Sequence, residues 1–116
     1  MLCPVPGKTV LVTVSSSGPA ADSQASYMGL YLMTADLYNG HPVYNKTGGG
    51  AVIFVGHTGR WRISATLNPT RAGIYHPQRQ PTPSFPPTSG WQYSTGTGWK
   101  DDDSLTVVPR GRVGHM

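Results

Sequence analysis

The chain has 116 residues, which fits a single domain large enough to bury a core without disulfides or metals. Only 12% of the residues are charged and glutamate is absent, so the composition disfavours helices and favours strands, turns and loops. The formal net charge is +4, but residues 1–108 carry seven basic and five acidic side chains, a net of +2, which is too weak to indicate a nucleic-acid partner.

The cysteine count and the hydropathy pattern exclude further classes of protein. Cys3 is the single cysteine, so no disulfide can form within the chain, and a disulfide-stabilised secreted mini-protein is excluded. The apolar run at residues 9–14 is too short for the hydrophobic region of a signal peptide. No stretch reaches the length that spans a bilayer, so we predict no membrane insertion.

Residues 9–14 predict a half-buried strand that stands apart from the rest of the chain. These residues alternate, with Val10, Val12 and Val14 on one face. Residues 15–26 are mostly small and polar, the composition of a flexible linker. The strand can therefore pair within its own sheet or add to the open edge of a neighbouring copy, and head-to-tail addition builds filaments. Pairing within the chain is favoured because it avoids the entropy cost of association.

The compact part of the sequence begins at residue 27 and contains a clear hairpin signal. Residues 27–33 are apolar at almost every position and predict a strand buried on both faces, with a bulge or a close backbone approach at Gly29. Asn39 and Gly40 between apolar residues predict a type I′ turn, because both tolerate a positive φ. Pro42 cannot donate to a ladder, so the second arm lies at an edge or begins its pairing after the proline.

Two more strands follow the hairpin. Residues 51–55 form a continuous apolar run between glycines, the pattern of a central strand. The next strand places Trp61 on one face and its neighbours Arg60 and Arg62 on the other. Cations around an aromatic ring suit single-stranded nucleic acid. The alternation separates the ring from the cations, however, so a core tryptophan with outward arginines is the better account.

The last third of the chain combines a proline-rich loop with short strands. Five of the fifteen residues at 76–90 are proline, which excludes a regular helix or a central strand and predicts an extended loop that covers the sheet. The minimal PxxP pattern from Pro83 to Pro86 is common in such loops. Further strands are predicted at residues 72–75, 91–95 and 105–108, with Trp99 closing another short arm.

Together these elements predict an all-β fold, a small antiparallel β-sandwich or barrel-like module of about seven strands. The predicted division is an N-terminal strand and flexible linker at residues 1–26, a β module at residues 27–108 and a tail at residues 109–116. The tail resembles a protease-site cloning scar and is left out of the fold prediction.

Several short motifs within residues 27–108 occur together in a fixed order: Asn39-Gly40-x-Pro42-x-Tyr44, Gly59-Arg60-Trp61, Gly90-Trp91 and Ser104-Leu105-Thr106-Val107. This combination resembles a short β-rich repeat module found in mosaic proteins of protists, algae and marine invertebrates. The resemblance implies a non-catalytic module, often repeated and often extracellular, and it supplies no catalytic or ligand residues. A location outside the cell or at its surface is the expectation that follows.

Catalytic and metal-binding arrangements receive little support from the sequence. Asp36 and His41 with a serine would make a triad on paper, but no nucleophile-elbow pattern is present. These and the other histidines of the module, His57 and His76, are predicted as surface turn residues. Residues 101–103 lack the alternation of a calcium loop and predict a solvated turn. We predict no enzymatic activity, no cofactor and no metal.

Two non-enzymatic functions remain open. The favoured one is a structural or adhesive interaction module that binds other copies of itself or neighbouring protein domains, with residues 9–14 as the assembly strand. The alternative is carbohydrate binding by aromatic side chains that stack on sugar rings, with Trp91, Tyr93 and Trp99 as candidates. Asn45, in the sequence Asn-Lys-Thr, is a candidate for N-glycosylation.

Overall fold

A computed structural model describes residues 10–56, 59–67, 73–78 and 86–112, with residues 10 and 109–112 described by their backbone alone. Within these ranges the chain forms nine strands and one short helix, α1 (Pro19–Ser23), which a 3₁₀ turn (Ala25–Tyr27) follows. None of the described helices is long and apolar enough to cross a membrane. The strands are β1 (Val10–Ser15), β2 (Gly29–Tyr38), β3 (His41–Lys46), β4 (Val52–Val55), β5 (Trp61–Ser64), β6 (Ile74–Tyr75), β7 (Gln92–Ser94), β8 (Trp99–Asp101) and β9 (Thr106–Arg112).

All nine described strands belong to one antiparallel sheet, in the order β8-β7-β6-β5-β4-β3-β2-β1-β9. Strands β8 and β9 lie at opposite edges of this sheet, yet only residues 102–105 connect them. Such a connection reaches at most about 18 Å, so the sheet must curl until its edges approach each other. The result is a half-barrel, which confirms the all-β, barrel-like prediction with nine strands in place of about seven.

The hairpin between β2 and β3 forms as predicted. Asn39 has φ of 54° and Gly40 has φ of 83°, the two positive values that a type I′ turn requires. Pro42 pairs with β2, while the described pairing of β3 with β4 involves Tyr44 and Asn45. β3 is therefore not an edge strand, and its pairing with β2 includes the proline; pairing that starts after Pro42, as predicted, is described with β4. At Gly29 the sequence predicts a bulge or a close backbone approach, and the described register shift in β2 falls instead between Met33 and Leu37.

One row of apolar side chains crosses the interior of the half-barrel from β3 to β7. Its members are neighbours across successive strands, and all are buried: Tyr44, Ile53, Ile63, Ile74 and Tyr93. Trp61 is also fully buried in this core. The alternation predicted for β5 is thereby confirmed, because Trp61 and Ile63 face inward.

Strand β1 lies inside the sheet. Residues 11–14 pair with β2, and residues from 10 to 15 pair with β9 on the other side. The side chains of Val12 and Val14 are buried in the core, and that of Val10 lies outside the described residues. The strand thus pairs within its own chain, the arrangement favoured above because it avoids the entropy cost of association with another copy.

Residues 15–26 do not form the predicted flexible linker. Ala20 of α1 is fully buried, and Gln24 donates from Nε2 to the carbonyl oxygen of Ser94 on β7 at 2.8 Å. Tyr27 packs against the core and approaches Gly73 closely. The composition suggested a linker because small residues carry few local signals, whereas the contacts that position this segment are with β7 and Gly73, about 50 to 70 positions away in sequence.

Gly73→Ala is expected to destabilise the fold by about 1–3 kcal/mol, because overpacking forces its neighbours to move. A Cβ at this position would lie 2.2 Å from Cε2 of Tyr27 and 2.5 Å from Oε1 of Gln24. Gly98→Ala is the matched control, since nothing lies within 4 Å of its added Cβ. Urea denaturation followed by circular dichroism measures both, and equal stability of the two variants would contradict the packing of Tyr27 on Gly73.

Candidate functional site

Two aromatic rings pack against each other on the outer face of the sheet near the β8 edge. Tyr75 follows Ile74, which faces the core, so its own ring points outward. Trp99 of β8 is the cross-strand neighbour of Ser94. Because Ser94 follows the inward Tyr93, Ser94 and Trp99 face outward as well. The two ring centroids are 4.5 Å apart with an angle of 59° between the planes, and Trp99 is 43% exposed.

Polar side chains flank this ring pair on the same face. Gln92 is the cross-strand neighbour of both Tyr75 and Asp101. Its Nε2 donates to Oδ1 of Asp101 at 2.8 Å, which holds both side chains in place. Asp101 is exposed, and among the described residues its Oδ2 accepts no hydrogen bond. We call the set Tyr75, Gln92, Trp99 and Asp101 the Trp99 surface.

Of the three predicted sugar-contact residues, Trp99 is exposed and the other two are not. Trp91 is 1% exposed and Tyr93 is 4% exposed, so both belong to the core and the prediction was wrong for them. Trp91 donates from Nε1 to the carbonyl oxygen of Pro87 at 2.7 Å. Tyr75 was missed, although the outward parity of a residue next to the core Ile74 was a usable signal.

The end of the proline-rich loop packs along the sheet. The carbonyl oxygen of Thr88 accepts from the backbone N–H of Val107, and that of Ser89 lies 2.9 Å from Nε2 of His76. With the Trp91 bond to Pro87, these contacts place residues 86–90 beside β9 and β6. The described end of the loop therefore lies along the outer edge of β9, and the rest of the predicted cover, with most of the PxxP pattern, lies outside the described residues.

The histidines that the structure describes are core residues rather than surface turn residues. His41 is 2% exposed and its ring packs edge-on against Trp61, with centroids 5.6 Å apart. His76 is 6% exposed and packs edge-on against Trp91 at 5.4 Å. His57 lies outside the described residues. Packing against Trp61 and Trp91 thus places both imidazoles in the core.

The arginines beside Trp61 lie on the far side of β5 from the core. Arg60 donates from Nε to the carbonyl oxygen of Pro77 at 2.8 Å. Arg62 passes so close to Gly56 that a Cβ there would be 2.8 Å from its Nε. Trp61 is fully buried, so its ring presents no stacking face beside these cations. No cluster of three His, Cys, Asp or Glu side chains in the described ranges could hold a metal ion.

Asp102 is a buried carboxylate rather than part of a solvated turn. Its Oδ2 accepts from Ser16 Oγ at 2.7 Å and from the backbone N–H of Ala20 at 3.0 Å. Its Oδ1 accepts from the backbone N–H of Ser104 at 2.9 Å and from Ser104 Oγ at 2.7 Å. Burial opposes its ionisation, but the four hydrogen bonds outweigh burial and lower the pKa of Asp102 to about 2. Asp102 therefore connects the β8–β9 loop to the β1–α1 loop through hydrogen bonds.

The free energy of unfolding is expected to decrease as the pH falls from 3.8, the usual pKa of this carboxyl, to about 2. A carboxyl whose pKa is lower in the folded than in the unfolded chain adds stability above the unfolded value, and that stability is lost as the pH falls through the folded value. The contribution is on the order of 1–2 kcal/mol. Urea denaturation at several pH values measures it. Asp102→Asn should flatten this dependence and Asp103→Asn, at an exposed neighbour, should not; an unchanged profile in Asp102→Asn would contradict the assignment.

Comparisons with protein-family models, with curated proteins and with solved structures find no match to this chain. A function is therefore inferred from the geometry of the chain itself.

Proposed function

We propose that this protein is a non-enzymatic interaction module that binds carbohydrate through the Trp99 surface. The observation that carries the proposal is the half-exposed indole of Trp99, which packs at a tilt against Tyr75 at the outer face of the sheet. Sugar rings present patches of C–H groups that pack on aromatic faces, and large rigid aromatic side chains offer contact area at a low cost in conformational entropy.

The groups around the ring pair suit a ligand with many hydroxyl groups. Asp101 supplies carboxylate acceptor sites and Gln92 supplies both a donor and an acceptor. Their mutual hydrogen bond holds both side chains beside Trp99, so they lose little conformational entropy when a ligand binds. A preformed aromatic surface with a few polar groups is the usual composition of a ligand site.

An adhesive role follows from the same surface. A single exposed ring pair gives modest affinity, but repeated modules gain avidity when several copies engage one polymer. The resemblance to a repeat module of mosaic proteins supports this role, and it is also the support for a location outside the cell or at its surface. Neighbouring copies of the module, or neighbouring domains, would then lie beside it in the same protein. The glycan would be the separate molecule that the Trp99 surface binds.

Assembly through β1 receives less support than carbohydrate binding and stays a prediction. The strand is already paired with β2 on one side and β9 on the other. Exchange between copies would first have to break both ladders. Size-exclusion chromatography of the intact chain tests this point, since multimers would favour strand exchange.

An array of neutral and acidic oligosaccharides, probed with the purified chain, tests the proposed function. We expect binding to a subset of glycans and a loss of at least about tenfold in affinity, roughly 1.4 kcal/mol, in Trp99→Ala. Leu37→Ala is the matched control, because Leu37 is 70% exposed but belongs to β2. Circular dichroism should show that both variants keep the fold. Absence of any glycan binding, or binding that Trp99→Ala leaves unchanged, would overturn the proposal.

A further inference from the structure

A second, separate surface lies on the outer face of β1 to β4. Leu11, Leu32, Asn45 and Val52 are successive cross-strand neighbours. Residues next to them, such as Tyr44 and Ile53, are buried in the core, so this row faces outward. Leu32 is 39% exposed, and Asn45 is exposed between Leu32 and Val52.

The neighbouring row on the same face is also apolar. Thr13 pairs with Leu30 on one side and with Val108 on the other, and Val108 is 41% exposed. The Thr13 hydroxyl is buried without a hydrogen-bond partner among the described residues. Among the side chains that the structure describes, neither row contains a charged one. We call this the apolar outer face, and its members are Leu11, Leu30, Leu32, Val52 and Val108.

We propose that Asn45 is an N-glycan acceptor and that the first sugars of its glycan cover the apolar outer face. The acceptor sequence Asn45-Lys46-Thr47 has no proline at its middle position. Asn45 and Thr47 are both exposed, and Asn45 stands within the row, with Leu32 and Val52 beside it. Contiguous apolar patches are uncommon on free monomer surfaces, and a glycan attached at this point would lie over the exposed Leu32 and the half-buried Val52.

The attachment is a group transfer from a polyprenyl-pyrophosphate oligosaccharide. Nδ2 of Asn45 forms a bond to C1 of the first sugar while the bond from C1 to the pyrophosphate oxygen breaks. The lipid pyrophosphate leaves with the electron pair of that bond, and Nδ2 gives up one proton to a base of the transferase. Trp99 lies on β8, which is five strands from β3 in the sheet, so this modification is independent of the proposed carbohydrate-binding surface.

Expression of the full chain behind a cleavable secretion signal in mammalian cells tests the acceptor. Intact-mass spectrometry should show an added mass that peptide-N-glycosidase F removes. The added mass should be absent in Asn45→Gln and in Thr47→Ala and present in Thr47→Ser. Secreted, folded wild-type protein without a glycan would overturn the proposal, as would a glycan that persists in Asn45→Gln.

Binding of a hydrophobic dye tests whether the glycan covers the apolar outer face. We expect Asn45→Gln to bind the dye several-fold more strongly than the glycosylated wild type from the same cells. The double variant Asn45→Gln/Leu32→Ser should return most of the way to the wild-type signal, because Leu32 is one of the exposed side chains beside Asn45. Equal dye binding by glycosylated protein and Asn45→Gln would overturn the covering role.

Discussion

A chain that lacks residues 1–26 is expected to be unfolded at 25 °C. Strand β9 joins the described sheet through β1, so removal of β1 leaves β9 without a ladder and exposes its former partner, β2. The deletion also removes the buried Val12, Val14 and Ala20. A domain of this size has only about 5–15 kcal/mol of stability, which cannot absorb the loss of an internal strand.

Circular dichroism and two-dimensional NMR of residues 27–116 measure this effect. The same truncated chain mixed with a synthetic peptide of residues 10–26 is the control, because a peptide that supplies β1 should restore dispersed amide signals. A cooperatively unfolding protein without the peptide would contradict the position of β1 between β2 and β9. It would instead support the autonomous module that the sequence predicts at residues 27–108.

Trp91→Ala is expected to destabilise the fold by about 3–5 kcal/mol, the usual cost when a buried aromatic side chain is truncated. The indole is buried, packs against His76 and donates to the carbonyl oxygen of Pro87, so its loss also frees residues 86–90 from one of their attachments. Guanidinium denaturation measures the difference.

Trp99→Ala is the matched control for this variant. Its ring is 43% exposed and its described ring contact is with Tyr75, so the expected loss is about 1 kcal/mol or less. The two substitutions remove the same side chain eight positions apart and should have different consequences, since Trp91 stabilises the core and Trp99 is the proposed binding residue. Comparable destabilisation by both would contradict the separation between core and surface.

Local patterns were sufficient to predict most of the strands, but the predicted tail at residues 109–116 was wrong in part, because β9 continues to Arg112 and pairs there with β1. Asn39 and Gly40 determine a turn by their own backbone preferences, and the alternation around Trp61 separates core from surface within four residues. Both features depend on residues that are adjacent in sequence. Neither requires knowledge of where the strand lies in the sheet.

Long-range closure could not be predicted in the same way. The pairing of β1 with β9 joins residues about 90 positions apart, and no pattern within either strand specifies that partner. The hydrogen bonds of Asp102 could not be predicted for the same reason, because Ser16 is 86 positions away from the carboxylate that it stabilises. A run of three aspartates indicates a solvated turn until Ser16 and Ala20 are brought beside it.

The candidate site was predictable in part. Trp91, just before β7, and Tyr93 within it have the same parity, and Tyr93 faces Ile74 in the core, so both are inward. Trp99 lies outward because the turn at residues 95–98 places it opposite Ser94. The length of that turn decides whether Trp99 meets solvent, and the sequence of the turn does not specify its length.

The most direct test of the account is the response of the three tryptophan indole N–H signals to a bound glycan. A ¹⁵N-labelled chain is titrated with the oligosaccharide that binds most strongly on the array, and Trp99→Phe identifies the Trp99 signal. Carbohydrate binding at the Trp99 surface predicts a saturable shift of the Trp99 signal while the buried Trp61 and Trp91 signals stay in place. A stationary Trp99 signal, or a saturable shift confined to the buried tryptophans, would contradict it.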